Sequence, residues 1–165
     1  MRQLVSIAGV APDRWTYLGE LAGSTGSITH LIVPLAQWKN DAGEWRGRAP
    51  HIGVSVTADT PLSSLQPHLE RLELIVVAFP GVSEGRGYSL ARQLRERGRY
   101  RGAMRAAGEI FRDHMLFLAR CGFDSFEVSP RESPDGAYAA LRSFTVAYQP
   151  LRTDPPSIAL KRRQL

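Results

Sequence analysis

A single cysteine, Cys121, is present. That excludes an internal disulfide and a cysteine-based metal cluster, and it makes the cytoplasm the expected compartment. No apolar run approaches the roughly 18 residues of a membrane span. The opening MRQLVSIAGVAPDRW holds a short apolar patch, but Asp13 and Trp15 interrupt it, so it reads as a poor signal peptide. The four histidines, His30, His51, His68 and His114, show no HExxH or other metal spacing. There is no Walker loop, no GxGxxG fingerprint, no CxxC, and no haem or iron–sulfur ligand set. No cofactor and no metal are expected, and whether the chain catalyses a reaction stays open. Lysine is nearly absent, occurring only at Lys39 and Lys161. The net charge of +5 is therefore carried by arginine. A GC-rich genome also enriches arginine, but a basic balance still points toward an anionic partner. That partner is a phosphate or sulfur oxyanion, an acidic protein, or nucleic acid.

What is present describes a soluble globular chain, 43% hydrophobic and 22% charged over 165 residues. One α/β domain is expected over residues 1–150, with a core at 51–150 and an N-terminal extension at 1–50. A basic tail is expected over residues 151–165, which include TDPPSIALKRRQL. Short strands are expected at 3–7 and 29–34, a helical turn at 35–39, and an exposed loop at 40–50. A regular rhythm then begins. Residues 51–57 alternate and form a strand. Asp59 or Thr60, with Pro61, opens a helix that buries Leu62, Leu65 and Leu69. Residues 74–79 are apolar almost throughout, as in a strand covered on both faces. A helix follows at 88–97, with its arginines outward and Gly98 as its stop. A strand is expected at 101–107 and a helix at 109–121, with Ile110, His114, Phe117, Leu118 and Cys121 on its apolar face. A strand at 123–128, a helix at 135–143 and an extended segment at 146–151 complete the chain. Repeated βαβ units imply a mainly parallel sheet: either part of a (β/α) barrel or a small open α/β layer.

Ligands in parallel α/β proteins bind beyond the carboxyl ends of the strands. The candidate stretch is therefore 79–122, which holds nine arginines, with the turn after residue 79 at its centre. Gly85 and Gly87 permit positive φ and close backbone approach. They lead into a helix N-terminus, which favours an anion. Arg86 offers a planar charged fork, and Ser89 a hydroxyl. Arg105 and Glu109 follow the next strand, Asp113 opens the next helix, and Glu127 follows the last strand. Two readings stand side by side. The loop seats an oxyanion, or Arg86 pairs with Glu84, Glu109 or Asp113 and locks it. Asp113 and His114 are neighbours on a helix, about 100° apart, which is poor geometry for an acid–base pair. Nucleic acid is not expected, because aromatic interleaving on the arginine face is limited to Tyr88 and Tyr100.

Specific residues carry a resemblance. These are Phe79-Pro80, Gly85-Arg86-Gly87-Tyr88-Ser89, Arg92, Tyr100-Arg101-Gly102, Arg105-Ala106, Gly108, Arg112-Asp113 and Arg120-Cys121-Gly122-Phe123-Asp124. With Val33-Pro34-Leu35 and Ala147-Tyr148-Gln149-Pro150 on the flanks, the chain resembles bacterial domain-of-unknown-function family 934. Departures from its pattern are Val82, Glu84, Ala103 and His114, where Phe, Asp, Glu and Gln are usual. Members of that family are labelled oxidoreductases of sulfite reduction. The resemblance implies a companion of assimilatory sulfite or sulfate reduction that binds the reductase or an acidic electron-transfer protein. The alternative is a small α/β enzyme or sensor holding sulfite, sulfate or a phosphorylated metabolite. The resemblance supplies no catalytic residue, and the oxidoreductase label finds no redox motif in the chain.

Overall fold

A computed structural model of the chain describes residues 3–10, 12–23, 27–81 and 85–143. The extended segment expected at 146–151 and the basic tail lie outside the described residues. The strands are β1 (Gln3–Ser6), β2 (Gly9–Val10), β3 (Thr16–Tyr17), β4 (His30–Pro34), β5 (His51–Thr57), β6 (Leu74–Phe79), β7 (Ala103–Ile110) and β8 (Ser125–Val128). They form one eight-stranded sheet in the order β2-β1-β8-β7-β6-β5-β4-β3. From β3 to β8 all neighbours run parallel. The β1–β2 hairpin is added antiparallel to β8. This is the mainly parallel α/β sheet expected from the βαβ rhythm. The first 50 residues supply four of its strands.

The sheet is curled into a half-barrel. Tyr17 sits on edge strand β3, and four strands separate it from β8. In a flat sheet five strand spacings would put them roughly 24 Å apart. Yet the Tyr17 hydroxyl donates to Glu127 Oε1 of β8 at 2.6 Å. Only curvature allows that bond. Side chains then sort by the period of two. Val54, Val77, Met104 and Phe126 face outward into the main core, against Leu65, Leu90, Leu94, Met115 and Leu118. Ile32, Leu74, Val76 and Ala107 face inward, covered by Trp15 and Tyr17. With both faces covered, β6 is buried over nearly its whole length, as its unbroken apolar run requires.

The helices are α1 (Leu35–Asn40), α2 (Ala42–Arg48), α3 (Leu62–Leu65), α4 (Gly85–Glu96), α5 (Arg112–Arg120) and α6 (Pro134–Arg142). Several differ from expectation. Residues 40–50 are not a loop: α2 buries Trp45 there. The Asp41 side chain accepts from the Glu44 backbone N–H at 2.9 Å, which is half of a capping box. The helix expected from residue 59 onward splits, because Pro67 has no N–H to continue it. α3 passes into a 3-10 turn over Gln66–Arg71, while Leu65 and Leu69 stay buried. α4 starts at Gly85, three residues earlier than predicted. Strand β7 continues to Ile110, where it pairs with Val128. The sheet ladder satisfies that backbone, so α5 begins only at Arg112. The phase of α5 changes accordingly. Met115 and Leu118 are its buried residues, and Phe117, expected inward, is 55% exposed.

Candidate functional site

The parallel strands end on one edge of the sheet, and that edge carries a cleft of about 390 Å³. It lies between the ends of β4 and β5 and the start of α1, lined by Pro34, Leu35, Lys39, Ser55, Thr57 and Thr60, among others. The turn after β5 is internally braced. The Thr60 N–H donates to the Thr57 carbonyl at 3.1 Å, and the two threonine hydroxyls lie 3.3 Å apart. The Asp59 carboxyl is held below its usual range, first by the Thr57 hydroxyl, then by its own backbone N–H, and further by the nearby Arg86 guanidinium.

Arg86 thus lies within electrostatic range of Asp59. The turn expected around it is already helical: Gly85, Arg86, Gly87 and Ser89 form the first turns of α4. Gly85, Arg86 and Ser89 are exposed, whereas Gly87 is buried. A Cβ on Gly87 would lie 2.5 Å from the Phe79 ring. Its missing side chain therefore makes room for Phe79. Among the described residues, positive φ at glycine occurs at Gly9, Gly108 and Gly122, not at Gly85 or Gly87. Gly108 also serves Phe79, since a Cβ there would strike the Phe79 carbonyl. Val82 and Glu84 lie outside the described residues.

The other candidates separate into two groups. Because β7 extends to Ile110, Arg105 sits in mid-strand on the inner face and not at the strand's carboxyl end. Its guanidinium fork grips Asp13, Nη1 to Oδ2 at 2.9 Å and Nη2 to Oδ1 at 2.8 Å. Nη1 also reaches Glu127 Oε1 at 3.0 Å. The Arg105 side chain is 3% exposed. Burial alone would lower its pKa; the hydrogen bonds and charges of Asp13 and Glu127 outweigh that and raise it. The structure thus brings Arg105 and Glu127 together and adds Asp13 and Tyr17. Neither of these two was visible as a partner in the sequence, where they lie 92 and 110 residues from the groups they bind. Glu109 and Asp113 are exposed, near the end of β7 and in the first turn of α5.

One arginine expected on a solvated face is a structural hub. Arg95 donates to the carbonyls of Gly122 at 3.0 and 2.8 Å, of Tyr100 at 2.9 Å and of Gly102 at 2.8 Å. It also pairs with Asp124 at 2.7 Å. Asp124 Oδ2 in turn accepts from the Met104 N–H at 2.8 Å. Tyr100 is buried, its hydroxyl donating to the Leu72 carbonyl at 3.1 Å, and burial pushes its pKa up. Gly102 lies so close to that ring that a Cβ would meet the hydroxyl.

Aromatic rings run from the core to the surface. Phe123 and Phe79 are 5.9 Å apart, Phe79 and Tyr88 5.4 Å, Tyr88 and Phe117 5.1 Å. Cys121 is buried, within electrostatic range of Tyr88. Burial raises its pKa, and the charges of Arg92 and Arg120 oppose that rise. At the opposite, amino end of the strands, His30 and His51 stack at 4.3 Å, and Glu73 holds His51 at 2.9 Å. Among the described residues no group of three or more His, Cys, Asp or Glu could hold a metal. Nor is any helix there long and apolar enough to cross a membrane.

Fold and site together define a curled α/β half-barrel with an open cleft at its carboxyl edge and a buried arginine–carboxylate cluster on its inner face. The chain belongs to the family described as bacterial protein of unknown function (DUF934), which matches residues 53–158. No curated protein matches the sequence. Several residues that carried the resemblance are now explained by packing: Phe79 with Gly87 and Gly108, Tyr100 with Gly102, and Gly122 with Arg95.

Proposed function

We propose that this protein is a cytoplasmic accessory protein of assimilatory sulfite or sulfate reduction that docks on the reductase or on its acidic electron-transfer partner. The pathway comes from the family resemblance. The docking surface comes from one observation: Phe117, 55% exposed, stacks on Tyr88 where α4 and α5 meet. Arg92 and Arg120 lie within electrostatic range of the buried Cys121 thiol, as does Tyr88. An exposed aromatic ring backed by a half-buried tyrosine, with arginines nearby, has the composition of a binding hot spot. The Arg92–Glu96 pair, at 3.5 Å and more than half exposed on both sides, is weak and releases Arg92 at little cost. An acidic partner surface complements this face and speeds encounter.

Size-exclusion and surface-binding measurements with assimilatory sulfite reductase, and with its acidic electron donor, test this reading. A complex should form at low salt and weaken in high salt. Phe117→Ala should weaken it by about tenfold or more, the loss of a central aromatic anchor. Absence of any complex with either protein at low salt overturns the reading.

A further inference from the structure

We propose that the cleft at the carboxyl ends of β4 and β5 binds a small anionic monoester, phosphate or sulfate, carried on an apolar body. Its volume of about 390 Å³ is that of a small-molecule site. Its position, beyond the carboxyl ends of adjacent parallel strands, is where α/β sheets hold ligands. The lining divides in two. Pro34, Leu35 and Val56 make an apolar wall, while Ser55, Thr57 and Thr60 bring hydroxyl groups and Lys39 an ammonium. The Lys39 ammonium with the Ser55 and Thr60 hydroxyls suits a tetrahedral oxyanion, the Thr57 hydroxyl being engaged with Asp59, and the wall suits an apolar substituent.

The polar side is organised before any ligand arrives. The hydrogen bonds of the turn at 57–60 hold Thr57 and Thr60 in place, so little ordering remains to be done on binding. Asp59 is the acid of this turn, and Arg86 already acts on it. Outside the cleft, against Trp38, burial first, then Lys39 and Arg71, push the His68 pKa down. This site is distinct from the α4–α5 surface and does not depend on it.

Amide chemical shifts of the intact protein, titrated with phenyl phosphate, phenyl sulfate, phenol and inorganic phosphate, test the inference. Either ester should shift Ser55, Thr57 and Thr60 and saturate in the millimolar range or below. The ester that binds more tightly identifies the head group. Lys39→Met should weaken that ester by about tenfold, the loss of a charge-assisted contact, and Thr57→Val should weaken it less. Lys39 is exposed, so its variant keeps the native spectrum; Thr60→Val gives a second, independent probe of the same lining. Absence of shifts with both esters overturns the inference. So does phenol or inorganic phosphate binding as tightly as the esters, or ester binding undiminished in Lys39→Met and Thr60→Val.

Discussion

At the scale of single residues, charge in this protein is used for structure more than composition suggests. Arg95 looks like one more arginine on a basic helix, yet its guanidinium meets three carbonyls and one carboxylate. No neutral side chain replaces that fork, and lysine, with one compact ammonium, cannot span the same acceptors. Arg95→Met should lower unfolding free energy by about 2–4 kcal/mol, since buried acceptors lose their donor, as read by urea denaturation. Arg95→Lys should recover only part of it. Full stability in Arg95→Met would show the hub to be dispensable. The periodicity of the helix placed residue 95 but could not show what lay opposite. Its acceptors come from the loop before β7 and from the turn between α5 and β8. The same holds for Gly87: the sequence marks a glycine, and only Phe79 explains why it is needed.

At the scale of elements, strand identity was legible wherever the side-chain pattern was unambiguous. β5 and β6 have the predicted limits, because alternation and an unbroken apolar run each fit one kind of strand. Helix boundaries were less legible. α5 was predicted too long because Ile110 satisfies helical and strand periodicity equally, and pairing with Val128 decided between them. α2 had a readable signal in Asp41 and Glu44, outweighed by the glycines around them. The starts of β4 and β5 place His30 and His51 face to face, and this gives a pH dependence. The His30 pKa is lowered, first by burial, then by His51 and Arg14, with Glu73 opposing. The folded protein therefore binds that proton less readily than the unfolded chain does. Stability from this group is complete above the ordinary value of 6.5 and falls as pH drops through the lowered folded value. His68 shifts in the same direction and adds to the slope. Thermal midpoints between pH 8 and pH 5 should decline with acidification (about one to two units around a histidine's range), and His30→Gln should flatten the decline. An unchanged slope in that variant would assign the effect to other groups.

At the scale of the whole molecule, the half-barrel has an inner face that, among the described residues, no helix covers. Residues 13–17 do that work. Asp13 holds Arg105, Tyr17 holds Glu127, and Trp15 and Tyr17 lie over Ile32, Leu74, Val76 and Ala107. Asp13→Ala should cost about 2–4 kcal/mol, because it leaves a buried guanidinium with one carboxylate in place of two. It should also expose the inner face, seen as increased binding of a hydrophobic dye and faster proteolysis within residues 12–23. Unchanged stability and dye binding would mean that the inner face does not depend on this clamp.

The sequence by itself determined the α/β class, the parallel rhythm, most strands, the family signature and the absence of redox motifs. All of these are written in local windows, where the period of side chains and the chemistry of turns act on near neighbours. The tertiary structure alone decided the curl of the sheet, the partners of Arg95 and Arg105, the exposure of Phe117 and the cleft beside Lys39. The physical reason is distance along the chain. Tyr17 and Glu127 are 110 residues apart and meet only because the sheet closes toward itself, and no local pattern records where a curved sheet brings its two sides together.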